Sequence, residues 1–289
     1  MNISKIPMFG EPGVRAASAD DAQAVVLPVA YEVAPSYGAG TREAPFYILS
    51  ASEQMEVIDE ETMTPWAGNG VHTLAVLEPS NNPEKAVVQI EAAARPHLAN
   101  GRFLLSIGGD HAVTIGLVSA AAKAFPGIGV LQIDAHLDLR DNWNNSRINH
   151  ACVMRRIAED LRLSFVQAGI RAIAPEEAEY IKEKDLSPFF AHALDPFDDS
   201  WMDDAIDRLP DQVYLTIDAD GLDPSVIPGT GTPEPGGFSY RQIVELVRRL
   251  GRRRKVVAAD ITEVVKIPGT QVSEYTAARI AEKIILYCA

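Results

Sequence analysis

The chain has 289 residues, 47% hydrophobic and 23% charged, enough to bury one large core in an ordinary globular protein. Its formal net charge of −14 argues against nucleic acid or a membrane surface as a partner and favours a cationic small molecule. No apolar stretch approaches the roughly 20 residues that cross a bilayer, residues 1–7 lack the apolar centre of a secretion signal, and the two cysteines, Cys152 and Cys288, have no Cys-x-x-Cys spacing. A cytoplasmic protein without a disulfide framework is expected.

Strand and helix signals then alternate along the chain. A short apolar run predicts a strand over 24–29, and a helix over 41–53 follows the turn Ser36-Tyr37-Gly38-Ala39-Gly40. A strand is expected over 71–77 and a helix over 83–100, stopped by Gly101. Strands over 103–107, 129–133 and 165–169 are separated by helices over 112–124 and 151–161. A helix over 175–184, a weak strand over 189–193 and a helix over 201–209 come next. The strand 213–217, the helix 240–250, the strand 256–261 and a last helix 273–287 complete the chain. That alternation predicts one α/β domain over 1–289, three layers deep, with a mostly parallel, doubly wound sheet covered on both faces. The basic run Arg248 to Lys255 reads as a solvated helix end that complements the helix dipole.

Three of these strands discharge into metal-ligand side chains. Phe-Leu-Leu-Ser-Ile-Gly-Gly-Asp-His closes on Asp110 and His111, and Val-Tyr-Leu-Thr-Ile-Asp-Ala-Asp closes on Asp218 and Asp220. Gly-Val-Leu-Gln-Ile-Asp-Ala-His-Leu-Asp closes on Asp134, His136 and Asp138, which alternation along an extended strand would put on one face. One Asp-x-His alone reads as a cap beside an exposed histidine; three agreeing segments read as a hydrolytic metal centre at the C-terminal ends of parallel strands. Six candidates, His111, Asp134, His136, Asp138, Asp218 and Asp220, are too many for one tetrahedral zinc with an open position. Shared through bridging carboxylates they suit two divalent ions, and carboxylate with imidazole but no thiolate favours manganese.

Gly-Gly-Asp-His (108–111), Asp-Ala-His-Leu-Asp (134–138) and Thr-Ile-Asp-Ala-Asp-Gly-Leu-Asp-Pro (216–224) resemble the signature segments of the ureohydrolases, the arginase and agmatinase family. The resemblance extends through Pro-Gly-Thr-Gly-Thr-Pro-Glu-Pro-Gly-Gly (228–237) and Asp-Ile-Thr-Glu-Val (260–264), covering about 38–264, and is greatest to short prokaryotic agmatinases. It implies two Mn2+ per chain, one on His111, Asp134, Asp138 and Asp218, the other on Asp134, His136, Asp218 and Asp220. Such a pair lowers the pKa of a water between the ions. It also implies a homo-oligomer, trimer or hexamer, and a catalytic role for Glu263 and His150. Glu263 would pair with the substrate guanidinium and set its central carbon in place. His150, twelve residues after Asp138, would shuttle a proton to the departing amine; Ala151 follows it where many relatives carry glycine.

Other candidates read more plainly. Asp110 is expected to orient His111 or its loop, Asp223 to fix a turn before proline, and Asp260 to be structural. Cys152 beside His150 reads as a packed thiol, and His72, His97 and His192 lack motif context. The expected reaction is hydrolysis of a linear cationic guanidine, foremost agmatine, to urea and an amine. Alternatives are 4-guanidinobutyrate or arginine as substrate, or a homologue that binds metal without turnover; a zinc deacetylase would hold one metal rather than two. The loop 139–149 carries Arg140, Arg147, Ser146 and asparagines at 142, 144, 145 and 149, which could read a carboxylate on the substrate tail.

Overall fold

The computed structural model describes residues 7–195 and 197–289, so the expectation for the first residues falls almost wholly outside it. Eight strands form one sheet: β1 (Ala24–Pro28), β2 (Val71–Thr73), β3 (Phe103–Ile107), β4 (Gly129–Ile133), β5 (Phe165–Ile170), β6 (Phe189–Phe190), β7 (Gln212–Asp218) and β8 (Lys255–Thr262). Their order is β2-β1-β3-β8-β7-β4-β5-β6, and every pair is parallel. The helices α1 (Ala44–Ser52), α6 (Ser200–Asp207), α7 (Tyr240–Arg253) and α8 (Val272–Cys288) cover one face. On the other lie α2 (Pro83–Ala99), α3 (Val113–Ala124), α4 (Val153–Glu159) and α5 (Pro175–Glu183). Burial on both faces explains why β3 and β4 are buried throughout, with no exposed alternate residue.

Local chemistry accounts for most element ends. Asn82 caps α2 by accepting the Lys85 N–H at 3.0 Å, with Pro83 at the first helical position. Ser239 and Gln242 form a reciprocal cap on α7. That helix passes Gly251 and runs to Arg253, three residues beyond its expected end. A Cβ at Gly251 would come within 2.1 Å of the Tyr287 carbonyl, so this glycine serves close packing of α7 on α8 rather than a stop. Arg249 and Arg253 then pair with Asp203 of α6 at 2.9 and 2.7 Å, giving the basic run specific partners.

Five expectations need correction. The strand expected over 71–77 pairs only to Thr73; Leu77 touches Val29 by an isolated bridge, because this edge strand has one neighbour and peels away. The 189–193 strand is two residues followed by a 3-10 turn, and the 41–53 and 151–161 helices each begin with a 3-10 turn. The largest correction concerns Asp134 to Asp138. Regular pairing of β4 with β5 and β7 ends at Ile133, and beyond it His136 makes one isolated parallel bridge to Ala172, so no continuous pleat carries the three residues. They converge through an irregular turn instead, in which Asp138 takes a left-handed φ of 52°.

Candidate metal centre

The sheet order brings the ligand-bearing ends together, since β3, β8, β7 and β4 are the four central strands. His111 lies between β3 and α3, Asp218 ends β7, Asp220 follows in a 3-10 turn, and Asp134 begins the turn after β4. Ligand atoms of His111, Asp134 and Asp218 lie within 4.8 Å of one another, as do those of Asp134, His136 and Asp220. Asp134 is common to both groups. Asp138 joins the first through an oxygen 2.9 Å from His111 Nδ1, which is 3.2 Å from Asp134 and 3.3 Å from Asp218. His136 Nδ1 lies 3.0 Å from Asp220 and 3.6 Å from Asp134. All six expected ligands therefore meet in one place.

The donor set fits divalent ions on two observations. His111 Nε2 donates to Thr216 Oγ1 at 2.9 Å, because that hydroxyl already gives its proton to Asp260 Oδ1 at 2.6 Å. The imidazole is thereby held with its other nitrogen, Nδ1, facing three carboxylates; Nδ1 is buried and has no hydrogen-bond partner of its own. The second observation is electrostatic. Burial and then the charge of Asp134 push Asp138 up to about 7, and burial with the charges of Asp220 and Asp134 pushes Asp218 well above the carboxylate range. Asp220 is raised by burial and by Asp134. Burial acts the same way on Asp134, but His111 and His136 outweigh it and hold that carboxylate low. Burial opposes protonation of His136, yet hydrogen bonds to Asp134 and Asp220 carry it up to about 12. The cluster thus lacks positive charge and recruits imidazolium to supply it, which is the deficit two divalent ions would fill.

Two further residues expected at the site lie on its rim. Glu263 follows β8 with a left-handed φ of 61°, held by its N–H to the Gly109 carbonyl at 2.9 Å. Its carboxylate accepts the His111 N–H at 2.7 Å, and burial followed by the Asp110 charge raises its pKa well above normal. A conformation this sparsely populated for glutamate persists where surrounding contacts impose it. His150 lines the same site with Nε2 2.8 Å from Ser36 Oγ; burial, then the charges of His111 and His136, push it down to about 4, so it is neutral at pH 7. Both line a cavity of about 250 Å3 shared with Ser36, Trp143 and Thr232, and the exposed Tyr37 stands at its mouth. The loop bearing Ser36 and Tyr37 is tied across this mouth by the Gly38 N–H to the Gly231 carbonyl at 3.0 Å. A Cβ at Gly38 would sit 2.9 Å from that oxygen, so the crossing needs glycine.

A model of the arginase family matches residues 22–287. The chain belongs to the arginase family. It is 40% identical over 275 residues to the N(1)-aminopropylagmatine ureohydrolase of Synechocystis sp., covering 92% of this chain and 89% of that protein. It is 32% identical to the agmatinase of Pyrococcus horikoshii, covering 84% of each. The agmatine ureohydrolase structure of Thermoplasma volcanium superposes with a TM-score of 0.86 at 26% identity, covering 98% of this chain and 95% of the other. The chain is therefore an arginase-family ureohydrolase, a hydrolase with the family's parallel α/β fold. Among its described residues no helix is long and apolar enough to cross a membrane.

In this arginase-family protein several residues beneath the ligands escaped the reading of motifs. Asp260, read as structural, accepts from Thr114, Tyr214 and Thr216 at 2.8, 2.6 and 2.6 Å and so sits one step behind His111. Gln132 donates to Asp134 Oδ2 at 2.7 Å, and Thr232 to Asp220 Oδ2 at 3.3 Å. The available signal was a lone polar residue two places before each ligand-bearing turn, Gln132 before Asp134 and Thr216 before Asp218, in otherwise apolar runs. Asp110 orients its loop rather than the His111 ring, accepting the Val33 and Ala112 N–H groups at 2.8 and 3.0 Å. Asp223 fixes a turn by accepting from Ser225 and Gly236 at 2.9 and 2.8 Å. Cys152 is buried, and burial pushes its thiol up to about 12, which leaves no nucleophile there.

The loop 139–149 spends most of its polar groups on turns, a cap and ion pairs, while Arg140 and Trp143 also line the cavity. Asn144 and Asn145 have left-handed φ values of 50° and 59° between the paired Trp143 and Ser146, a tight turn that asparagine tolerates. Asn149 caps the following 3-10 turn through the Ala151 N–H at 3.0 Å. Arg140 pairs with Glu176 and stacks 4.2 Å over Trp143, while Arg147 lies 3.3 Å from Asp141 and 3.6 Å from Asp160.

Proposed function

We propose that the chain is a binuclear amidinohydrolase that cleaves a linear guanidine bearing a cationic tail to urea and an amine. The observation that carries this reading is the pair of ligand groups sharing Asp134, with Glu263 and His150 lining the same cavity. His111, Asp134, Asp138 and Asp218 would hold one ion and Asp134, His136, Asp218 and Asp220 the other, with Mn2+ favoured by a donor set of carboxylate and imidazole without thiolate. When bound, such a pair supplies an activated water at neutral pH. Glu263 would bind the guanidinium, whose charge also meets the need for a cation beside that buried carboxylate. Fixing the planar guanidinium by two parallel contacts orients its central carbon toward the ligand cluster. His150, held by Ser36 and neutral at pH 7, would relay a proton to the departing amine.

The loop 139–149 supports a cationic tail. Arg140 and Arg147 are already paired with carboxylates, and the asparagines at 144, 145 and 149 are engaged in turns and a cap. Each arginine of the loop already has a carboxylate partner, although Arg140 also lines the cavity, and these pairings disfavour a carboxylate tail and so arginine and 4-guanidinobutyrate. A net charge of −14 favours a polyamine instead. Similarity to the Synechocystis protein supports ranking N(1)-aminopropylagmatine ahead of agmatine, the shorter cation. Urea release from N(1)-aminopropylagmatine, agmatine, 4-guanidinobutyrate and arginine tests this: the two cationic tails should lead in kcat/KM. A hydrogen bond to a charged group is worth about 1.5–3 kcal/mol, roughly ten- to a hundredfold. Faster turnover of either guanidino acid would overturn the assignment.

A further inference from the structure

At one level of the sheet, just below the ligand-bearing turns, neighbouring strands set five polar residues side by side. Ser106 is in register with Asp260, Asp260 with Thr216, Thr216 with Gln132, and Gln132 with Gln167. All are at most 2% exposed. Register partners on adjacent strands point to the same face, so these side chains form one row across the centre of an otherwise apolar sheet. Such a row is costly unless its members satisfy one another. Thr216 and Asp260 serve His111, as described above.

The two glutamines form a separate chain with a fixed direction. The Asp134 carboxylate can only accept, so Gln132 must turn its Nε2 toward Oδ2, at 2.7 Å. That leaves Gln132 Oε1 to accept from Gln167 Nε2 at 2.6 Å, and the same nitrogen donates to the Leu137 carbonyl at 2.7 Å. Both N–H bonds of Gln167 are thus used, and its Oε1 is left buried with no partner. Meanwhile Asp134 Oδ1 accepts the His136 N–H at 2.6 Å, so both carboxylate oxygens are held. A buried orphan oxygen is tolerated where the groups on the other side of the amide are worth more than full satisfaction.

We propose that Gln132 and Gln167 are positioning residues. Together they form an amide relay that sets the plane of Asp134 and, through Leu137, the backbone beside Asp138, before any ion arrives. This rests on the reading of Asp134 as a ligand shared by both ions. Residues that orient metal ligands in this way change affinity about ten- to a hundredfold when removed.

The test is the Kd for Mn2+, measured by calorimetry on the metal-free full-length protein, for Gln132→Met, Gln167→Met and the double variant. Thermal melting of each metal-free protein is followed alongside. Each single change should weaken Mn2+ by about ten- to a hundredfold while the metal-free protein melts close to the parent. The double variant should lose less than the product of the two effects, because Gln167 acts on Asp134 only through Gln132. Parent-like affinity in both single variants, or losses that multiply, would overturn the relay, as would lowered melting with unchanged Mn2+ affinity. If Gln132→Met does not fold, Gln167→Met and Gln167→Glu on β5, which carries no ligand, decide by the same affinity criterion. A parent protein that fails to bind Mn2+ would overturn the metal reading beneath the relay, an outcome distinct from binding that the variants leave unchanged.

Discussion

Replacing Thr216 by valine removes one hydroxyl and leaves shape and strand preference nearly intact. Thr216 is fully buried and sits between His111 Nε2 at 2.9 Å and Asp260 Oδ1 at 2.6 Å. Asp260 keeps two donors on its other oxygen, Tyr214 and Thr114, so the larger loss falls on the imidazole. Leaving that buried N–H unpaired costs about 1–3 kcal/mol in stability. An ion on Nδ1 needs the neutral ring with its proton on Nε2; without Thr216 that tautomer leaves a buried N–H unpaired, and the proton stays instead on Nδ1, which faces Asp134, Asp138 and Asp218 where the ion should sit. Metal affinity and urea release should therefore fall about ten- to a hundredfold, equivalent to about 1.4–2.8 kcal/mol. Thr216→Ser, which keeps the hydroxyl, should stay near the parent. Mn2+ titration with a urea assay on both variants checks this. Parent-like metal binding in Thr216→Val, or equal damage in Thr216→Ser, would refute the tautomer argument.

His136→Ala and Asp220→Ala, each at the second ligand group alone, should leave one ion per chain by metal analysis and cut turnover by orders of magnitude with the fold retained; two ions per chain in either variant would refute the assignment. The buried ion pair of Lys283 with Asp59 should make stability fall in acid. Burial opposes ionisation of Asp59, but its hydrogen bond to Lys283 wins and lowers its pKa below 3.8. Its contribution is therefore present above that value and lost as pH falls through the folded-state pKa. Asp59→Asn should destabilise at pH 6 by urea melting, and the gap to the parent should narrow toward pH 3; a constant gap would refute it. The family resemblance leads us to expect a trimer or hexamer at micromolar concentration by light scattering, and a monomer would contradict it.

The ligands were legible in the sequence because their signal is local. Buried parallel strands read as short apolar runs, and the residue just past such a run stands at the C-terminal end of the strand where sites form, so Asp110-His111, Asp134-Ala-His136-Leu-Asp138 and Asp218-Ala-Asp220 declared themselves. Their meeting was not legible. It depends on β8 and β7 entering between β3 and β4, an order set by helix packing on both faces. The three side chains after β4 meet without a continuous pleat, since regular pairing stops at Ile133, His136 makes one isolated bridge and a left-handed Asp138 completes the turn. The floor beneath them was hidden for the same reason. Thr216 is 105 residues from His111, and Glu263 is 152 residues from the His111 N–H it accepts. Strand composition states that a residue is buried, whereas register, which is a non-local property of the folded sheet, decides which buried polar groups face one another.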